Sequence, residues 1–507
     1  MSEWINKAFR IYLHQRYRQI NRFMQFPHDA QREVWKELIM LNRHTEWGRR
    51  FGYSDMRSPE SFAQRVPVQD YESLKPYIQR MMHGEQDVLW PGRVRWFSKS
   101  SGTTSDKSKF IPVPRINLRK CHIMGSRDAM ALFYHRRPDA EIFAKSTMIM
   151  GGSIQGFDAC PGTFYGDVSA IMISHIPFFA RPRLFPDVQT ALMAEWEQKL
   201  ERMAEAGSKN RNVVMIAGVP TWTIVLFRRM LELTGAKTML EIWPDFQLYA
   251  HGGVSFSPYK SQFQTFFPSE KVEYQEVYNA SEGYFSVQDT PNGEDGMLLL
   301  LQNGVYYEFL PPAEWNKPEP QPIPLEAVEV GKNYALVIST NAGLWRYMPG
   351  DTVMFTCTRP YRIRVTGRTK QYVNAFGEEV MVDNTDMALA ATCAATGARV
   401  TDYTVAPLFL QGNDKGGHEW LIEFDILPPD LEYFNTLLDV NLQKLNSDYE
   451  AKRYRDIALE RLVLRVLPQG TFHRWLRDKG KLGGQHKVPR LANHREYVDE
   501  ILGTLEV

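Results

Sequence analysis

Apolar positions near the start of the chain recur at helical spacing. Trp4, Ile5, Ala8, Ile11 and Tyr12 are separated by basic residues, and the pattern predicts a helix over residues 1–25. A basic amphipathic helix has two uses, lying on a membrane or docking on its own domain, and docking is the commoner. From about residue 90 to 366 short β-rich runs alternate with helical stretches. The runs fall at 146–150, 212–217, 247–250, 271–277, 297–302, 334–339, 352–356 and 362–365. Two helices are clear. One, at 191–206, sets Leu192, Trp196, Leu200 and Met203 on one face; the other, at 221–233, follows a Gly-Val-Pro turn. Such alternation predicts an α/β fold built on a largely parallel sheet, with ligand groups at the carboxyl ends of the strands.

Around Gly367 the pattern changes. A short connector is followed by a helix at 383–396, a strand at 399–405, and a second strand carrying Trp420, Ile422, Phe424 and Ile426 on alternate positions. A helix at 431–449 and a strand at 459–467 complete an α-β-β-α-β order, which suits a small α+β domain. The expected division is a large N-terminal domain over residues 1–367, with β-sheets flanked by helices, and a small mobile C-terminal domain over 368–507. The Pro-rich stretch 311–324 reads as a loop inside the large domain, and no internal repeat is evident.

Composition narrows the class. At 507 residues, with 43% hydrophobic and 23% charged, the chain reads as a soluble globular protein of about three domains or subdomains. Its 60 basic and 59 acidic residues leave a net charge of +1, so bulk charge calls for neither nucleic acid nor an anionic membrane. The four cysteines form no Cys-x-x-Cys pair, which argues against a disulfide framework or a structural zinc site. No signal peptide is evident, and the longest apolar-biased stretch, 213–227, is broken by Gly218 and Pro220. A cytoplasmic monomer is expected.

Four constellations carry candidate chemistry. The first runs Ser98-Lys-Ser-Ser-Gly-Thr-Thr-Ser-Asp-Lys-Ser-Lys109. Its hydroxyls, glycine and lysines are what a phosphate-cradling loop needs, although it is not a Walker A loop. The second, Tyr278-Asn-Ala-Ser-Glu282-Gly, directly follows a β-run. There a ring can stack on a base, a hydroxyl can donate to phosphate and a carboxylate can hold Mg²⁺; a plain helix N-cap is the competing reading. The third, Gly343-Leu-Trp-Arg-Tyr-Met-Pro-Gly-Asp351, brings a carboxylate to a strand start, suited to two ribose hydroxyls or to an ordinary hairpin turn. The fourth, Gly483-Gly-Gln-His-Lys487-Val-Pro-Arg490, offers a lysine in a Gly/Pro-bounded loop.

In this order the four motifs resemble those of the adenylate-forming superfamily of acyl and aryl ligases. Ser100-Ser-Gly-Thr-Thr, Tyr278-x-x-Ser-Glu, Gly343-Leu-Trp-Arg-Tyr-x-x-Gly-Asp and Gln485-His-Lys-x-Pro-Arg are similar to the Gretchen Hagen 3 family, the auxin-responsive acyl acid amido synthetases. The chain departs from the wider pattern at Ser105-Asp106, where the loop usually supplies another glycine. It departs again at Met348 and Pro349, and in a hinge about one residue longer than usual.

The resemblance implies a ligase that uses ATP and Mg²⁺ to adenylate a small carboxylic acid, then passes the acyl group to an amine, with an amino acid the expected acceptor. It implies phosphate contacts from Ser100, Ser101, Gly102, Thr103 and Thr104. Tyr278 and Asn279 would lie with the nucleotide, Ser281 at the α-phosphate, Glu282 on Mg²⁺ and Asp351 on the ribose. Arg368 and Lys370 would form the hinge, and Lys487 would act at the acid carboxylate and α-phosphate. The glycine-rich strand ends 218–222 and 251–259 are expected to line the acid pocket, with His251 a candidate in amine deprotonation. Two rival readings stay open: an acyl-CoA ligase sharing the first step, and a non-catalytic nucleotide-binding regulator.

Overall fold

The computed structural model describes residues 2–100, 109–176, 180–253, 256–291, 293, 295–315, 317–369, 372–373, 378, 380–409, 416–453, 459–481 and 487–505. The chain divides into two compact units. The first comprises Met1–Val219, Val225–Gly253 and Ser269–Arg364; the second comprises Pro220–Ile224, Val254–Pro268 and Val365–Val507. No described helix is long and apolar enough to cross a membrane.

The N-terminal helix Ser2–Gln25 is docked on its own unit. Arg16 forms a buried ion pair with Asp128 at 2.6 Å, and the Asn6 amide donates to the Ala140 carbonyl at 2.8 Å. Trp4 and Ile11 stay exposed on the outer side of the helix.

A twelve-stranded sheet dominates the first unit, and its topology corrects one expectation. Only the segment built from Leu184–Phe185, Ser146–Ile149, Val213–Gly218, Leu248–His251 and Glu273–Ala280 is parallel. Beyond it Gly283–Val287, Met297–Leu299 and Tyr361–Arg368 pair antiparallel, as do Ile323–Pro324, Val305–Leu310, Asn333–Thr340 and Asp351–Thr358. Connection length explains the difference. A parallel neighbour needs a crossover of a dozen or more residues, whereas an antiparallel one needs only a tight turn. Two residues join Ala280 to Gly283 and two join Thr358 to Tyr361.

Two predicted helices are also cut at polar residues. The one expected from 191 starts at Trp196, because the Glu195 carboxylate caps the amides of Glu197 and Gln198. The one expected over 431–449 ends at Leu445, and Asn446 then caps a new helix by accepting from the Tyr449 amide at 2.7 Å.

The second unit centres on the three-stranded sheet Arg399–Phe409, Gly416–Ile426 and Val463–Leu467. The helices Val382–Thr396 and Leu431–Leu445 contribute Leu389, Phe434 and Leu438 to its core, packed with Trp420 and Ile422. The α-β-β-α-β order is therefore present, with the last strand shorter than expected.

Candidate active site

The second motif is a hairpin. Ala280 pairs with Gly283, so Ser281 and Glu282 are the two-residue turn between antiparallel strands. The strand runs on through Tyr278 to Ala280 and no helix starts at Asn279 or Ser281, which corrects the expected end of the β-run and the N-cap reading. Turns are normally wet, yet Ser281 is 3% exposed and Glu282 6%. Among the described residues the Ser281 hydroxyl has no hydrogen-bond partner.

Tyr278 and Asp351 meet across 73 residues. The phenol donates to Asp351 Oδ2 at 2.5 Å, and its ring lies edge-on to Phe285 at 4.9 Å. Asp351 is the first residue of its strand and follows Gly350, whose φ of +95° is a conformation that glycine adopts without strain.

Asn279, one position along, contacts other partners. Its Oδ1 lies 3.1 Å from His122 Nδ1 and its Nδ2 lies 3.8 Å from the Met172 sulfur. His122 closes a π-helical turn, Leu118–His122, that runs into the helix Ile123–Arg136. Such turns often mark functional places in helices. The preceding Cys121 accepts the Tyr284 amide on its sulfur at 3.2 Å, which pins the turn to the hairpin. Burial pushes the His122 imidazole down to about 4, so it is neutral and its Nδ1–H can donate to Asn279. Sequence reasoning missed His122, because a lone histidine 157 residues from its partner carries no local signal.

The parallel strands set their carboxyl ends side by side. Ile149 lies beside Ala217, Gly218 beside His251 and His251 beside Glu276. Glycines line this edge, and at Gly252 the reason is steric: a Cβ would lie 2.3 Å from the Val277 carbonyl oxygen. His251 is buried, and desolvation pushes its imidazole down to about 3. So weak a base is poorly matched to taking a proton from an amine.

The third motif is largely a brace. Gly343 has φ +87°, and a Cβ there would lie 2.8 Å from the Leu89 carbonyl oxygen, which also accepts from Trp345 Nε1 at 3.2 Å. Arg346, buried, holds Glu308 bidentately at 2.9 and 2.8 Å. It also donates to the carbonyls of Ala63 and Val66 at 2.8 and 2.6 Å. This belt anchors the chain five residues before Asp351. Sequence reasoning missed it because Glu308 lies inside an apolar run.

The other expected site residues are placed as follows. Ser100 ends the strand Trp96–Ser100 in a separate four-stranded sheet of the first unit, paired with Lys109. Ser101, Gly102, Thr103 and Thr104 lie outside the described residues, as does Lys370. Arg368 ends the strand Tyr361–Arg368. Lys487 is half-buried in the second unit, next to Val488 of its core. Among the described residues no three His, Cys, Asp or Glu side chains gather to hold a metal.

The fold is that of acyl-activating, adenylate-forming enzymes. The chain superposes on the GH3.15 acyl acid amido synthetase in complex with 2,4-DB with a TM-score of 0.77 and 16% identity, covering 94% of this chain and 93% of that one. It superposes on 2-hydroxyisobutyryl-CoA ligase in complex with R3-HIB-AMP with a TM-score of 0.61 and 14% identity, covering 94% and 91%. The chain belongs to the GH3 family: residues 16–272, 298–368 and 383–496 match its N-terminal, central and C-terminal domains. Among relatives, it is 23% identical to the indole-3-acetic acid-amido synthetase GH3.3 of Arabidopsis thaliana, over 92% of this chain and 89% of the relative. The family indicated by the four motifs is thus borne out.

Proposed function

We propose that this protein is an ATP-dependent acyl acid amido synthetase. It adenylates a small carboxylic acid and transfers the acyl group to an amine, with an amino acid the expected acceptor. The observation that carries the reading is the Tyr278–Asp351 hydrogen bond beside the buried Ser281-Glu282 turn, which joins two of the four motifs.

A carboxylate is a poor electrophile because attack at its carbon would expel oxide. In the first half-reaction the acid oxygen attacks the α-phosphorus of ATP in line and pyrophosphate leaves, so catalysis is mostly positioning and charge neutralisation. Ser100, Ser101, Gly102, Thr103 and Thr104 hold phosphate oxygens. Tyr278 flanks the adenine beside Asn279, and Asp351 accepts the ribose hydroxyls. Ser281, whose buried hydroxyl lacks a partner among the described residues, donates to the α-phosphate. Glu282 suits Mg²⁺, which takes one or two carboxylates plus substrate phosphates and needs no all-protein cage. That ion would neutralise phosphate charge when bound. Lys487 approaches the acid carboxylate and α-phosphate, where its ammonium opposes the charge that gathers in the transition state. In the second half-reaction the amine attacks the acyl carbonyl and AMP leaves. Residues 368–507 serve as the mobile domain, with Arg368 and Lys370 at its hinge, and the protein works as a cytoplasmic monomer.

The test is ATP–pyrophosphate exchange across a panel of small carboxylic acids, followed by mass spectrometry of products formed with amino acids or with CoA. Acid-dependent exchange and an amide product are expected. A thioester would favour the CoA ligase reading, and no exchange with any acid would favour the non-catalytic one.

A further inference from the structure

We propose that Arg490 is a positioning residue for Lys487, and that its buried clamp is part of the catalytic apparatus. The inference rests on the reading of Lys487 given above. Arg490 is 8% exposed within the second unit. Its Nη1 donates to the Asp402 carboxylate and to the Tyr403 carbonyl at 3.1 Å, and its Nη2 donates to the Tyr259 hydroxyl at 2.5 Å. The guanidinium also lies 4.5 Å from the centre of the Tyr403 ring, whose hydroxyl donates to Asp386 at 2.7 Å. One side chain thereby ties the strand Arg399–Phe409, the helix Val382–Thr396 and the turn Ser257–Tyr259 to the segment that carries Lys487.

The backbone follows the same line. Thr404 Oγ1 donates to the Pro489 carbonyl at 2.7 Å, the Val405 amide to Arg490 O at 2.9 Å, and the Ala492 amide to Val405 O at 3.1 Å. Leu491 bridges Val405 in parallel, so the stretch after Lys487 is laid along the strand like a short extra one. Stability alone does not call for this arrangement, since well-packed apolar residues commonly replace a buried ion pair without loss. A planar guanidinium with five fixed donors does supply direction, and it sits three residues from a side chain whose placement sets the rate. A displacement of about 1 Å costs on the order of a hundredfold in rate.

The test is a double-mutant cycle read in ATP–pyrophosphate exchange, with an acid that supports exchange in the unmodified protein. Arg490→Met combined with Asp402→Leu removes both members of the ion pair, while the other buried carboxylate that feels Arg490, Asp386, keeps the Tyr403 hydroxyl as a donor. The pair is expected to lower kcat about a hundredfold, with KM for ATP within about twofold, and to add nothing in a Lys487→Ala background. Arg490→Lys, which keeps the charge and loses the fork, should not restore kcat. Tyr259→Phe, which leaves the ion pair in place, should lower kcat several-fold, and it decides the matter if the double variant does not fold. Unchanged kcat, or a loss that multiplies that of Lys487→Ala, overturns the positioning role and leaves the reading of Lys487 standing. Full exchange by Lys487→Ala itself overturns that reading instead.

Discussion

His122 makes the fold sensitive to acid. Its imidazole is held down at about 4 by burial, against an ordinary 6.5 in the unfolded chain. The sign follows from which state binds the proton first. Above pH 6.5 neither state is protonated and the full stability is present. As pH falls from 6.5 toward 4, the unfolded chain takes up a proton that the folded one refuses, and stability is lost. The loss is about 2 kcal/mol at pH 5 and about 3 kcal/mol below pH 4. His122→Phe keeps a ring of similar size and cannot titrate, but it forfeits the hydrogen bond to Asn279, worth about 1 kcal/mol. The variant should therefore be the less stable protein at pH 7.5 by about 1 kcal/mol and the more stable at pH 5 by a similar margin. Urea unfolding followed by tryptophan fluorescence at the two pH values measures the gap. If the gap between the proteins is the same at both, the imidazole is not buried neutral and the reasoning fails.

Two further perturbations test the site and its brace. Asp351→Ala removes charge-assisted hydrogen bonds worth about 1.5–3 kcal/mol, so ATP should bind about tenfold more weakly or worse, and a titration with the parent affinity would cancel the ribose assignment. Arg346→Met strands Glu308 in the core and should cost about 3–5 kcal/mol, seen as a lowered Tm. Adding Glu308→Leu should recover much of that loss, and a double variant as unstable as the single would show that the ion pair is not the cause.

The family was readable from residue type and spacing, because motifs such as Tyr278-x-x-Ser-Glu and Gly-Asp351 are each local strings. The small unit was readable as well. Trp420, Ile422 and Phe424 alternate on a strand and share one core with the helices Val382–Thr396 and Leu431–Leu445, although the other face of the strand is buried as well, with Leu421 in a second core. Strand direction was not readable from burial. Runs such as Val305–Leu310 are buried on both faces, as a parallel strand would be, and only the short connections and their pairing show otherwise. The partners of the polar residues were hidden for a related reason. The contacts Tyr278–Asp351, Asn279–His122, Arg346–Glu308 and Arg490–Tyr259 join residues 73, 157, 38 and 231 positions apart. A pattern along the chain reports which face a side chain shows, whereas its partner depends on which strands and turns the packed core brings alongside it.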